Sequence, residues 1–128
     1  MNLDWCNEQE KQQLYRLVTG LKSPFKTGDE SITFLTDNGS FTLNAYGDCC
    51  SHSWFEHMEL PEFPFTITKL ETVDIADVTK EDGYGCEERL QTYSLKITTD
   101  KGHGDIEMRN SSNGYYGGSF EVDLGDLK

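Results

Sequence analysis

Two stretches of this chain share one construction. In 31–45, Ile32, Phe34 and Thr36 alternate with polar neighbours, Thr36-Asp37-Asn38-Gly39 follows, and Phe41, Leu43 and Ala45 alternate on the way out. In 90–110, Tyr93, Leu95 and Ile97 alternate up to Thr99-Asp100-Lys101-Gly102, and Ile106 and Met108 alternate beyond it. A period of two sends every apolar side chain to one face of an extended strand. Asn38-Gly39 is a strong hairpin signal, because the tight turn between twisted strands needs positive φ. Two such hairpins commit the chain to an antiparallel sheet with one buried face. The shared Thr-Asp-x-Gly is a weak internal similarity, which two similarly built hairpins explain without duplication.

The remaining segments fill in around them. Asp4 is placed to cap a helix over 4–21, with Leu14, Leu17, Val18 and Leu21 at i, i+3, i+4 and i+7, and Glu8, Glu10, Lys11, Gln12 and Gln13 opposite. Gly20 and Ser23-Pro24 end it. A strand is expected near 65–78, where Ile67, Val73, Ile75 and Val78 are β-branched, and a charged loop over 80–88. Phe120-Glu121-Val122-Asp123-Leu124 alternates, and its acids suit an edge strand. The fold class is therefore α+β: an N-terminal helix packed on a mainly antiparallel sheet of five to seven strands. The 128 residues form a single domain, with 1–24 a helical N-terminal extension and 31–124 the β-rich core.

Charge narrows the partners. The formal net charge is −12, which repels nucleic acid and acidic membrane surfaces. A basic protein surface would be attracted, so a nucleic-acid mimic is one alternative, provided that the scattered acids gather on one face. Without a signal peptide or an apolar run of membrane-spanning length, a cytoplasmic location is expected, in a host cell if the gene is viral. The four cysteines are then expected as thiols.

Chemistry is densest in 47–57, Gly-Asp-Cys-Cys-Ser-His-Ser-Trp-Phe-Glu-His. Cys49, Cys50, His52 and His57 are weak metal candidates, because adjacent cysteines with this spacing do not match the paired-ligand pattern of structural zinc. A thiol nucleophile with a histidine base would need an accessible low-pKa thiol. These two readings make a thiol- or metal-dependent hydrolase the second alternative. The reading adopted places Cys49 and Cys50 as small residues in a tight strand-to-helix corner anchored by Trp54 and Phe55, with no metal and no cofactor. His52, Glu56 and His57 remain available for binding.

Asp48-Cys49-Cys50-Ser51-x-Ser53-Trp54-Phe55-Glu56 resembles the D-C-C-E-x-V-x-I-E pattern of a small uncharacterised domain widespread in phages and bacteria. That family's second hallmark, a strand followed by S-N-G-Y-Y-S, is similar to 106–117, with Ser112-Asn113-Gly114-Tyr115-Tyr116-Gly117 at its end. The resemblance covers 31–122. Ser51 replaces the expected Glu and Gly117 the expected Ser, while the N-terminal segment and the Cys86 loop look like additions. The resemblance implies a phage-associated setting and no assigned chemistry.

In the second motif, Asn113 and Gly114 are turn residues, and Tyr115 and Tyr116 would point to opposite faces of a following strand. Arg109 brings a planar fork suited to phosphate or carboxylate. The expected function is a non-enzymatic, phage- or prophage-encoded binding module that neutralises a host defence factor or a small anionic signalling ligand. Its site would comprise Arg109, Asn113, Tyr115, Tyr116, His52, Glu56 and His57. Direct nucleic-acid or membrane contact is not expected, and homo-oligomerisation is left open.

Overall fold

A computed structural model describes residues 1–47, 51–81, 87–112 and 117–125, with the backbone alone described over 75–81 and 87–89. Among the described residues, eight strands form one antiparallel sheet: β1 Leu17–Leu21, β2 Ser31–Thr36, β3 Gly39–Gly47, β4 His52–Glu59, β5 Phe65–Glu81, β6 Glu87–Thr99, β7 Gly102–Ser112 and β8 Gly118–Asp123. Their spatial order is β4-β7-β6-β5-β1-β2-β3-β8. Both expected hairpins are present, as β2–β3 and β6–β7.

Only two residue pairs, Leu17 with Thr66 and Val18 with Phe65, join β1 to β5. The sheet folds over at this seam, so that Phe34, Phe41, Leu43 and Val122 of one half face Ile67, Leu70, Leu95 and Ile97 of the other. Leu3 and Leu14, both 1% exposed, close the gap between the halves. Among the described residues one apolar core serves both halves, and alternation along the strands supplies it.

The N-terminal helix is far shorter than the sequence pattern suggests. It is a single turn, α1 Glu8–Lys11, followed by a 3-10 turn at Gln12–Leu14. Its N-cap is Asn7, which accepts from the Glu10 amide at 2.8 Å. Residues 17–21 are a central strand, so 1–24 is no helical extension. The helical spacing of Leu14, Leu17, Val18 and Leu21 lost to long-range pairing: Val18 lies opposite Thr36 and also opposite Phe65. Residues 52–59 likewise form a strand and no helix, and β5 and β6 run into the segment expected as a loop over 80–88.

The turns explain the repeated tetrapeptide. Thr36 pairs with Gly39 and Thr99 with Gly102, so the two residues between them make each turn. The Thr36 hydroxyl donates to the Gly39 carbonyl at 3.0 Å and accepts from the Asn38 amide at 3.2 Å. Thr99 does the same with Gly102 and Lys101, at 2.8 and 3.0 Å. Gly39 and Gly102 have φ of 123° and 122°, a region that side chains avoid. Each glycine follows its two-residue turn, and Asn38-Gly39 is not the central pair.

The correspondence runs further than the hairpins. A bulge interrupts β1 between Val18 and Gly20 where it meets β2, and another interrupts β5 between Ile67 and Lys69 where it meets β6. The hydroxyl in each bulge donates across, Thr19 to the Leu35 carbonyl and Thr68 to the Thr98 carbonyl. Asp37 and Asp100 donate their amides to Leu17 and Thr66, which pair with each other. The outer strands then change sides. β4, which follows β3, pairs with β7, whereas β8, which follows β7, pairs with β3. The chain is thus two four-stranded units that exchange their last strands, and Phe55 and Phe120 stack across the exchange at 6.3 Å.

Both sheet edges are covered. Gly28 and Asp29 pair with the backbone of Phe55 on β4, and residues 1–3 pair with Phe120 and Val122 on β8. Such covers suppress edge-to-edge association.

Candidate functional site

On β7, Ile106, Met108 and Asn110 point inward, so Asp105, Glu107 and Arg109 point out. On β4, Ser53 and Phe55 are buried, so His52 and Trp54 share that outer face. Trp54 lies directly opposite Arg109, and His52 opposite Ser111. The register then slips between Phe55 and His57, which leaves Glu56 as the extra residue of a bulge. The bulge keeps Glu56 beside Trp54, whose indole donates to its carboxylate at 2.8 Å.

The outer face therefore carries a fixed row. Glu30 holds the His52 Nε2 at 2.9 Å, the imidazole leans on the Trp54 ring at 5.2 Å, and Trp54 holds Glu56. Arg109 stands next to this row and is poorly satisfied. Its side chain is 33% exposed, its Nη2 is 3.9 Å from Glu107, and its buried Nε has no partner among the described residues. His57 lies past the bulge, near Glu59 at 4.0 Å. Lower on the face, Ser94 and Lys96 both bond to Asp105.

His52, Glu56 and Arg109 thus come together, and His57 lies at the margin. Cys49, Cys50, Asn113, Tyr115 and Tyr116 fall outside the described residues. The ends of their segments meet, however: Gly47 pairs with Gly118, and the Asn110 amide donates to Ser51 and Ser53 hydroxyls at 3.1 and 2.8 Å. The two crossings between halves leave from this point. Among the described residues, no three His, Cys, Asp or Glu side chains gather as a metal would require, and no helix is long and apolar enough to cross a membrane.

Sequence reasoning missed Asn110, Trp54 as a recognition ring, and Glu30. Asn110 is fully buried, with its Oδ1 unpaired among the described residues. Its signal was visible as a polar residue at an inward position, after Ile106 and Met108 in the alternation. Glu30 reaches His52 from a distant loop and left no local mark.

Residues 11–122 match the model of a domain of unknown function, DUF7448. The match includes β1, which the resemblance over 31–122 left out. Over 84 residues the chain is 32% identical to uncharacterized protein L278 of Acanthamoeba polyphaga mimivirus, a stretch that covers 62% of this chain and 65% of that protein. The chain thus spans slightly under two thirds of the length of this relative. No solved structure is significantly similar. With nearly the whole folded sheet inside the match, the chain belongs to the DUF7448 family.

Proposed function

We propose that this protein is a non-enzymatic binding module that takes a small anionic ligand, or an anionic group on a host factor, on the outer face of β4 and β7. One observation carries the reading. Arg109 exposes a guanidinium that makes no hydrogen bond among the described residues, beside a fixed indole. A phosphate or carboxylate would accept from two guanidinium donors at once. Trp54 offers a ring face to a base or another planar group. His52, held by Glu30, adds a donor at the end of the row. The similarity to a viral protein favours a viral setting, in which the bound factor would belong to host defence.

Native mass spectrometry of the protein recovered from a host lysate tests this, with wild type, Arg109→Ala, Arg109→Lys and Tyr116→Ala compared. The expected result is an anionic adduct on wild type that both Arg109 variants lose, since Lys keeps the charge and not the fork. Melting temperatures should stay within a few degrees of wild type. Wild type without any adduct, or an adduct retained by Arg109→Ala, would sink the reading.

A further inference from the structure

The other half of the molecule carries its own outer face, on β3 and β8, and there the chemistry is reversed. Tyr46 of β3 occupies the position that Arg109 occupies on β7, counting from the Gly39 and Gly102 turns. Above it lies a cleft of about 430 Å³, walled by Asn2, Asp4 and Trp5 on one side and by Tyr46, Ser119 and Glu121 on the other. That volume suits a small ligand.

From these walls we infer that the cleft binds an alkylammonium group. Four large apolar side chains are exposed among the described residues, and two of them, Trp5 at 85% and Tyr46 at 49%, line this one cleft. Neither ring stacks on another ring among the described residues. An exposed indole and phenol at one opening form the kind of aromatic surface that attracts a cation through the ring quadrupole. The charged side chains lining the cleft are Asp4 and Glu121, and no lysine or arginine side chain among the described residues joins them. The Met1 ammonium stands 3.6 Å from Glu121 and donates to the Val122 carbonyl at 2.9 Å, and it offsets one of the two carboxylates. Asp4, bonded to the Thr72 hydroxyl, supplies the other. The balance of the lining is therefore one negative charge with two aromatic faces, in a chain of net −12 that draws cations towards it. The net negative lining disfavours an anion, and a purely apolar ligand would leave the carboxylates without a role. This site is independent of Arg109, which lies on the other half of the sheet.

An alkylammonium group can come from a free polyamine or from a lysine side chain on a protein. Titration of the full chain, followed by isothermal calorimetry, separates the two with 1,5-diaminopentane and with a capped peptide carrying a single lysine. Inorganic phosphate serves as the anionic control. Saturable binding of the free amine assigns the cleft to small molecules. Saturation by the peptide alone assigns it to a protein lysine. Either result supports the inference if Trp5→Ala and Tyr46→Ala each weaken the amine or peptide by about fivefold or more, if added salt also weakens it, and if Arg109→Ala leaves it unchanged. Trp5 is almost fully exposed, so its variant should fold as wild type does. No saturation below about 10 mM by either probe, or undiminished binding in Trp5→Ala, overturns it.

Discussion

Gly118→Ala should be among the most damaging single changes in this chain, although it adds only one carbon. A Cβ at 118 would sit 2.5 Å from the Ser53 hydroxyl, 3.0 Å from the Tyr46 carbonyl and 3.2 Å from the Asn110 amide. None of these can retreat cheaply. Ser53 donates to the Tyr46 carbonyl at 2.9 Å and accepts from Asn110 at 2.8 Å, and both side chains are buried. Displacing the hydroxyl breaks two buried hydrogen bonds, each worth about 1 kcal/mol. Overpacking against the carbonyl adds about 1 kcal/mol or more. The expected loss is about 3 kcal/mol, which corresponds to roughly 1.5 M in urea midpoint for a typical slope. Urea unfolding followed by circular dichroism measures it. The control is Ser53→Gly with Gly118→Ala, which removes the closest contact. The double variant should lose clearly less than the sum of the two singles. A Gly118→Ala midpoint equal to wild type, or strict additivity in the double variant, would refute this account of the crossing point.

Two more expectations concern the turn at Gly39 and the Tyr15 hydroxyl. Gly39→Val should cost about 1 kcal/mol or more, because φ is 123° there; Gly20→Ala, where the added methyl would meet no atom within 4 Å and φ is ordinary, should cost far less in the same unfolding assay. Burial first, and then its bond to Glu8, raise the Tyr15 pKa above the ordinary 10.0. A raised folded pKa means that the folded state holds its proton longer. The contribution is therefore complete below pH 10 and is lost as pH climbs through the folded value. Thermal unfolding between neutral and strongly alkaline pH should fall more steeply for wild type than for Tyr15→Phe, and parallel curves would contradict the shift.

The parts of the fold that were legible in the sequence are those in which local pattern and long-range pairing agree. Ile32, Phe34, Leu95 and Ile97 alternate as written and are all buried, and the turns between them carry their own hydroxyl and glycine chemistry. Residues 17–21 were misread because five residues with one glycine carry little local preference. Their strand exists only because Phe34–Thr36 and Phe65–Thr66 arrive on either side. β4 was hidden by its own bulge: the extra Glu56 shifts the alternation, so that Ser53 and Phe55 face the core while the register resumes at His57. The candidate site was half legible. Arg109, His52 and Glu56 could be nominated from residue type, but the row that joins them depends on Glu30 and on the bulge. Neither has a local signature.

The exchange of outer strands also dictates how this chain can reach its folded state. β4 is made early in the chain, yet its partner β7 begins only at Gly102, and β3 waits for β8, with Thr42 lying against Asp123. Neither edge can close locally, so each closure must draw together distant parts of the chain against its entropy. Sheets of such non-local pairing fold in milliseconds to seconds, while helical bundles of similar size need far less time. Until β7 and β8 are made, β4 and β3 lack these partners and Phe55 cannot stack on Phe120. A nascent chain released before β7 and β8 would carry both unpaired edges into solution. The last few dozen residues therefore act as the chain's own protection against aggregation.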